Sequence, residues 1–124
     1  MSISYKEQPK GEKISITIIS DTHNKHPTVP NSDILIHCGD FTNKGKIEEI
    51  ESFNEYLSKL KNKLILVVPG NHEVNHLNGF LKKNLKHCVL LEDEVYEYKN
   101  LKIYGSKVII YLSFKNKLIT NKSN

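Results

Sequence analysis

The sequence predicts an α/β fold in which a mixed, largely parallel sheet carries a ligand site at one edge. Three short stretches, residues 14–20, 33–38 and 64–68, are apolar and rich in β-branched residues, as strands buried on both faces are. Between the second and third of them, residues 47–60 repeat apolar side chains every three or four positions, which predicts an amphipathic helix. Strand, helix and strand in this order form a βαβ unit with parallel strands and a right-handed crossover.

The elements before the helix follow from local composition. Residues 1–13 are polar and lack periodicity, which predicts a flexible lead-in. Residues 21–32 are predicted to be a loop because Pro27 and Pro30 interrupt any helix there. The apolar face of the helix is expected to hold Ile47, Ile50, Phe53, Leu57 and Leu60, with Glu48, Glu49, Glu51 and Glu55 facing solvent.

The elements after the third strand are shorter. Residues 77–86 predict a second helix, and residues 88–91 predict a short strand. Residues 95–98 and 101–104 flank Lys99-Asn100 and predict a hairpin, which would turn the sheet from parallel to mixed. In the basic tail, residues 108–114 either pair as a strand at an open sheet edge or remain an exposed β-prone segment.

Length and composition limit the classes of protein. A chain of 124 residues forms one domain with a modest core. No apolar run approaches the roughly 20 residues of a membrane span, so a cytoplasmic protein without a membrane partner is expected. The two cysteines, Cys38 and Cys88, match no paired zinc-ligand spacing and are interpreted as strand-packing residues in a reducing compartment.

The distribution of charge argues against a nucleic-acid partner. The formal net charge is +4, but residues 1–106 carry 14 lysines and 14 acidic residues, so the excess lies in the tail. The chain also has no arginine, the residue that binds phosphate groups in a bidentate way. A phosphate group bound here would need a metal ion or backbone N–H groups.

Polar side chains that can bind metal ions follow each of the three predicted strands. Asp21 and His23 follow the first, Asp40 the second, and Asn71 and His72 the third. The carboxyl ends of parallel strands meet at one edge of a sheet, where open α/β sheets bind ligands. Carboxylate, amide and imidazole groups are suitable ligands for divalent ions. The sequence therefore predicts a metal site at this edge.

These junctions resemble the motifs of the calcineurin-like metallophosphoesterase superfamily, and most closely its branch of small metallophosphoesterase-domain-containing proteins. The motifs are Ser20-Asp21-Thr22-His23, His37-Cys38-Gly39-Asp40-Phe41-Thr42 and Pro69-Gly70-Asn71-His72-Glu73, with further similarity at residues 91–94 and 102–106. The resemblance covers residues 14–106 and leaves 107–124 as a divergent tail. It implies the N-terminal part of a metallophosphoesterase sandwich, a mixed sheet with flanking helices whose second sheet is incomplete.

The resemblance also implies roles for the five side chains at the strand ends. Asp21 and His23 would bind a first metal ion, Asp40 would bridge two ions, and Asn71 would bind the second. His72 would lie beside the scissile phosphate of a small phosphoester substrate, as a charge stabiliser or as the acid for the leaving group. The two divalent ions would be of the manganese, iron or zinc type. Glu73 is expected to order its loop rather than contact substrate.

Two departures from the family pattern lower the activity expected. Asn43-Lys44-Gly45 stands where many members have an Asp-Arg pair, which weakens the support expected for His72 and removes an arginine contact to phosphate. No histidine follows His87, so three imidazole ligands have no counterpart. A chain truncated or divergent after Ser106 is expected to bind metal weakly and turn over little substrate. The alternative is a non-catalytic remnant that binds a metal ion or a protein partner, or associates with itself, through an open sheet edge.

Overall fold

The described residues form two sheets and two short α-helices. The computed structural model describes residues 2–7, 14–76, 79–114 and 117–122, and the side chains of residues 14–73 and 79–113. In chain order the elements are β1 (Ser2–Glu7), β2 (Ile14–Ile19), β3 (Ile34–His37), α1 (Ile47–Ser58), β4 (Leu64–Val67), a 3₁₀ helix (Asn71–His76), α2 (Phe80–Asn84), β5 (Val89–Leu90), β6 (Glu94–Tyr98), β7 (Leu101–Ser106), β8 (Ile109–Phe114) and β9 (Lys117–Lys122).

The first sheet confirms the predicted βαβ organisation. Its strand order is β1-β2-β3-β4-β5, and β2 to β5 run parallel. Helix α1 connects β3 to β4 and packs on the sheet through Ile50, Phe53 and Leu57, all nearly fully buried. Ile47 differs from the prediction, because it stands at the first helical position and is 51% exposed. The apolar face of the helix therefore begins one turn later than the periodicity indicates.

The predicted flexible lead-in is corrected in part. Residues 2–7 form β1, which pairs antiparallel with the whole length of β2. Without β1 the backbone N–H and C=O groups on one side of β2 would be a free edge, and pairing satisfies them. The first sheet is therefore mixed because of β1 and not because of the predicted hairpin.

The predicted hairpin forms but belongs to a second sheet. Strands β6 and β7 pair antiparallel around a turn at Lys99 and Asn100. They continue into β8 and β9 in the order β6-β7-β8-β9, with every pair antiparallel. The sheet has one apolar face, because alternate residues along β7 and β8 are fully buried, namely Leu101, Ile103, Ile110 and Leu112. That face packs against the first sheet and gives a sandwich.

The basic tail is more ordered than its composition suggests. The open choice for residues 108–114 is settled in favour of pairing, because β8 lies beside β7. Residues 117–122, which carry no strand in the prediction, form β9. An apolar face on β8 requires a layer to cover it, and the first sheet provides that layer.

Two apolar layers explain why the strands of the first sheet read as continuous apolar runs. Between the sheets, Ile34 and Ile36 pack with β7 and β8. On the opposite face, Leu35 packs with α1 and α2. Alternate residues of β3 thus enter different cores, and both faces are buried. The rigid core ends at the same level in β2, β3 and β4, which sets the position of the loops that follow them.

The remaining expectations for this part of the chain concern cysteines and membranes. Cys38 and Cys88 are both free, and burial raises the pKa of each thiol to about 12, which keeps them protonated and unreactive. No helix among the described residues has the length and apolarity that a bilayer crossing requires.

Replacing Gly105 with alanine should weaken the contact between the two sheets. A Cβ atom at this position would lie 2.5 Å from Leu91 Cβ and 2.7 Å from Val68 Cγ1, so one sheet must shift. Overpacking of this kind costs about 1–3 kcal/mol in free energy of unfolding. Urea denaturation should show that loss for Gly105→Ala and less than about 0.5 kcal/mol for the exposed control Lys102→Ala. Equal stability of Gly105→Ala and the parent would contradict the contact.

Candidate metal centre

Backbone hydrogen bonds continue past the ends of β2 and β3 and hold the first two predicted metal-binding loops side by side. The Cys38 N–H donates to the Ile19 carbonyl at 2.9 Å, at the end of the strands. Beyond it, the Asp21 N–H donates to the Gly39 carbonyl at 3.0 Å and the His23 N–H donates to the Asp40 carbonyl at 3.0 Å. Asp21, His23 and Asp40 are therefore neighbours because the parallel register extends into the loops.

Left-handed backbone conformation is concentrated at these loops. The φ angle is +57° at Asp21, +46° at His23, +64° at Asn24 and +59° at Asp40. For residues other than glycine this conformation costs roughly 1–2 kcal/mol each, although Asp, Asn and His tolerate it best. Such strain persists only where surrounding contacts impose it, and it clusters at functional sites. Three of the four predicted metal ligands have this strained backbone.

The loop after β4 joins the other two through a contact between two glycines. A Cβ atom at Gly70 would lie 2.3 Å from both the N and the Oδ1 of Asp40, and a Cβ atom at Gly39 would lie 2.6 Å from Gly70 Cα. Only hydrogen fits at either position. The close approach lets the His72 N–H donate to Asp40 Oδ1 at 2.9 Å. The three loops, residues 20–24, 39–45 and 69–73, are called the three-loop edge below.

A buried carboxylate at Glu73 fastens two of the loops together. Its Oε1 accepts the N–H groups of Asp40 at 2.8 Å and Gly70 at 2.9 Å. Its Oε2 accepts the Thr42 N–H at 3.1 Å and the Thr42 hydroxyl at 2.7 Å. The residue is 0% exposed. The prediction that Glu73 orders its loop is confirmed, and its partners show that it also orders the loop after β3.

The two histidines of the three-loop edge lie against each other. The rings of His23 and His72 have centroids 4.9 Å apart. His23 Nε2 lies 4.0 Å from Asp21 Oδ1, and His72 Nδ1 lies 3.0 Å from the Thr42 carbonyl oxygen. Sequence reasoning expected weak support for His72 because a carboxylate is missing after Asp40. The structure shows that the Thr42 backbone carbonyl supports the ring instead. Because every residue has a backbone carbonyl, no residue type in the sequence indicates this role.

The loop that departs from the family pattern is organised by Glu49. Its carboxylate accepts the N–H groups of Asn43 at 2.7 Å, Lys44 at 3.0 Å and Lys46 at 3.1 Å. Although burial alone would raise the pKa of Glu49, these N–H groups outweigh it and the pKa is lowered. Glu49 was predicted as a solvent-facing helix residue, and it instead fixes the loop that precedes α1.

His37 supports the site from inside the protein. It is 1% exposed and packs edge-on against Phe41 and Phe53. The Gly39 N–H donates to its Nδ1 at 3.2 Å, so the proton of the neutral ring lies on Nε2, 2.9 Å from the Thr22 hydroxyl oxygen. Burial lowers the pKa of His37 to about 3, which keeps the ring neutral.

His26 and His87 lie away from these contacts. His26 is exposed, lies in the loop predicted for residues 21–32 and stacks on Tyr56 with ring centroids 4.8 Å apart. His87 is exposed beyond the end of α2. The side chain of His76 lies outside the described residues.

The donors at the three-loop edge fit a divalent ion in chemical kind. Asp21 and Asp40 offer carboxylate oxygens, His23 an imidazole nitrogen and Asn71, which is exposed, an amide oxygen. In the described part of the chain, no three His, Cys, Asp or Glu side chains converge on one point as a ready-made metal cluster. The loops are thus placed together, and their roles as ligands stay a prediction.

Comparison with known proteins places this chain among phosphoesterases. Residues 14–122 match the family model for calcineurin-like phosphoesterase, a match that runs past Ser106. The chain is 39% identical over 115 residues to a UPF0046 protein of Caenorhabditis elegans, covering 76% of this chain and 41% of that protein. It is 30% identical over 115 residues to human metallophosphoesterase domain-containing protein 1, covering 71% of this chain and 35% of that protein.

A bacterial protein shares a shorter segment. The chain is 39% identical over 56 residues to a probable cyclic nucleotide phosphodiesterase of Vesicomyosocius okutanii, covering 44% of this chain and 24% of that protein. The matched segment spans less than half the length of each of these relatives.

Glu73→Gln should destabilise the protein by about 2–4 kcal/mol, because the glutamine NH₂ group faces N–H donors that need an acceptor. The exposed substitution Glu51→Gln on α1 is the matched control, with an expected change below about 0.5 kcal/mol. Chemical denaturation of the two variants compares the free energies of unfolding. If both variants lose the same small amount, the hydrogen bonds of Glu73 do not hold the loops.

The burial of His37 should make folding sensitive to acid. Its pKa is about 3 in the folded protein and near 6.5 when exposed, so the unfolded state binds the extra proton between these values. Stability from the neutral ring is complete above about pH 6.5 and falls by up to about 1.4 kcal/mol per pH unit below it.

The control for this acid sensitivity is His37→Gln, which keeps polar groups but cannot titrate. Unfolding free energies of parent and variant should converge as the pH falls from about 7 to about 4. A difference that stays constant over this range would show that the ring is not buried in neutral form.

Proposed function

The chain belongs to the calcineurin-like phosphoesterase family, and from this premise we propose that its three-loop edge binds divalent metal ions for phosphoester hydrolysis. Family membership supports a phosphoesterase-type function. The metal ions, the ligand roles and the activity of this chain are the content of the proposal. The proposed substrates are small phosphomonoesters or phosphodiesters, and the proposed metals are of the manganese, iron or zinc type.

One observation carries the proposal. Asp21, His23 and Asp40 adopt strained left-handed backbone and lie on neighbouring loops that hydrogen bonds join. A turn that only reverses the chain does not need two aspartates and a histidine held in this conformation, and a cation bound at these loops would offset the charge of the two carboxylates. The strain is explained if these loops are shaped to hold a cation.

Each side chain has a proposed role. Asp21 and His23 would hold one ion, Asp40 would be shared between two, and Asn71 would bind the second. A bound divalent ion supplies Lewis-acid activation of water and neutralises charge on the phosphoryl oxygens. The His72 N–H accounts for one hydrogen bond to Asp40 Oδ1, so this carboxylate keeps its other oxygen for a second partner.

His72 is proposed as the residue that handles a proton. Its backbone is held by Asp40 and its ring by the Thr42 carbonyl, so the ring has a fixed place next to His23. An imidazole in such a position can give a proton to a leaving-group oxygen or stabilise negative charge on phosphate. It is also exposed, so substrate can reach it.

The extent of activity is proposed to be low in this chain. Within these 124 residues no histidine follows His87, so the imidazole donors of this stretch are those of the motifs described and the few histidines near them. We propose metal binding weaker than in a complete dinuclear site and slow turnover. We also propose a cytoplasmic location, where Cys38 and Cys88 would remain reduced.

Asp40→Asn should lower Mn²⁺ affinity at least about tenfold and abolish Mn²⁺-dependent hydrolysis of bis(p-nitrophenyl) phosphate, because it removes the shared carboxylate charge. The matched control is Asp93→Asn, another aspartate with left-handed backbone (φ +57°), which lies outside the three-loop edge. Asparagine tolerates this backbone conformation, so both variants should fold. Isothermal titration with Mn²⁺, elemental analysis and the hydrolysis assay are the measurements.

The outcomes separate the two candidate functions. Binding of about two ions per chain, together with Mn²⁺-dependent hydrolysis, that Asp40→Asn loses and Asp93→Asn retains supports the phosphoesterase site, whereas one ion without hydrolysis favours the non-catalytic remnant. Absence of divalent-ion binding in the parent protein would refute it and favour a non-catalytic protein. Equal loss in both variants would mean that the effect is not specific to the three-loop edge.

A further inference from the structure

We infer that Thr42 is a positioning residue for His72: its backbone carbonyl holds the imidazole in the Nδ1–H tautomer, and its N–H and hydroxyl groups tie that carbonyl to buried Glu73. The functional meaning of this inference rests on the proposed role of His72. The tautomer itself does not depend on that role, so it can be tested in protein without metal or substrate.

The tautomer follows from the chemistry of the partner. His72 Nδ1 lies 3.0 Å from the Thr42 carbonyl oxygen, which is a hydrogen-bond distance. A carbonyl oxygen can only accept, so the proton of the neutral ring must be on Nδ1. Nε2 then carries the lone pair, and any further proton that the ring accepts goes to Nε2. That nitrogen becomes the one that exchanges protons with a substrate.

The carbonyl is fixed because every polar group of Thr42 has a defined partner. Its N–H and its hydroxyl both donate to Glu73 Oε2, at 3.1 Å and 2.7 Å, and the hydroxyl oxygen accepts the Gly45 N–H at 2.9 Å. Thr42 and Glu73 are each 0% exposed, so water does not compete for these bonds. The single proton of the hydroxyl is used in the hydrogen bond to Glu73.

These hydrogen bonds link the loops after β3 and β4 in a closed ring of residues. Glu73 holds Thr42, Thr42 holds the ring of His72, and His72 is the neighbour of Glu73 in the chain. The His72 N–H also donates to Asp40 Oδ1 at 2.9 Å. Both the backbone and the ring of His72 are therefore set by the segment from Asp40 to Thr42.

The Thr42 carbonyl has a different effect from the carboxylate that the family pattern has in the loop after Asp40. It selects the protonated nitrogen as a carboxylate would, but it adds no formal charge next to the proposed cation site. Hydrogen bonds to a charged acceptor are roughly twice as strong as those to a neutral one. Thr42 is therefore expected to orient His72 and fix its tautomer through a hydrogen bond to a neutral acceptor.

Nitrogen NMR of the histidine rings tests the inference in chelator-treated protein. Long-range ¹H–¹⁵N spectra at a pH where the rings are neutral distinguish the protonated nitrogen from the bare one. We expect His72 to show a protonated Nδ1 and a bare Nε2. His87, which is exposed, serves as the internal reference and should show the Nε2–H preference of free histidine. A protonated Nε2 with a bare Nδ1 in His72 would overturn the inference.

Two substitutions test the link through the hydroxyl. Thr42→Val removes the hydroxyl bonds to Glu73 Oε2 and from the Gly45 N–H, keeps the backbone N–H bond to Glu73 Oε2, and should raise the Nε2–H population of His72 at least severalfold. Thr42→Ser keeps the hydroxyl and should retain the parent tautomer. If Thr42→Val fails to fold, the parent and Thr42→Ser spectra decide the question. A folded Thr42→Val protein with the parent tautomer would overturn the role of the hydroxyl link.

The result is separable from the metal-site proposal. A protein with the expected tautomer but no Mn²⁺ binding would retain the positioning role of Thr42 and lose the phosphoesterase proposal. A protein that binds Mn²⁺ and loses it in Asp40→Asn, but shows the opposite His72 tautomer, would do the reverse.

Discussion

The interaction on which the candidate site depends is the buried carboxylate of Glu73. Four donors from Asp40, Thr42 and Gly70 surround its two oxygens, and no part of it reaches solvent. A carboxylate in such a place is tolerated only when donors replace the water it has lost. The loops after β3 and β4 consequently adopt one shape together, since three of these four donors belong to the loop after β3 and the carboxylate belongs to the loop after β4.

The sheets supply the rigid frame that makes this shape possible. Both faces of the first sheet are covered, by the helices on one side and by the second sheet on the other. Strands β2, β3 and β4 therefore end at fixed positions, and the loops begin from them with little freedom. The backbone strain at Asp21, His23 and Asp40 is held by this frame and by the hydrogen bonds between the loops.

Much of this arrangement could be predicted from the sequence, because it follows from periodicity and from chain order. Apolar runs gave the parallel strands, and polar residues just beyond them gave the edge at which Asp21, His23 and Asp40 meet. The path of the hairpin at Lys99 could not be predicted, because a strand pattern says which face is apolar but not which sheet will cover it. The pairing of β1 was missed for the same reason, since it depends on a free edge elsewhere in the fold.

The contacts that finish the site were less accessible to sequence reasoning. Glu49 has the spacing of a solvent-facing helix residue, and only the path of the preceding loop brings three N–H groups to it. The Thr42 carbonyl that holds His72 belongs to the backbone, so the residue type at position 42 does not indicate its role. Side-chain chemistry can be read along the chain, whereas a contribution from the main chain emerges only with the three-dimensional path.

The hydrogen bonds of Glu73 to the loop after β3 affect the order in which the protein folds. The hydrogen bonds of Glu73 to Asp40 and Thr42 span 33 and 31 positions of the chain. Helix α1 and strand β4 lie between the bonded residues. Contacts of that separation form only after the intervening crossover has closed, because the entropy of loop closure must be offset first. The sheet can thus form transiently before the three-loop edge does. Local opening under native conditions should begin at the loops while the strands remain paired.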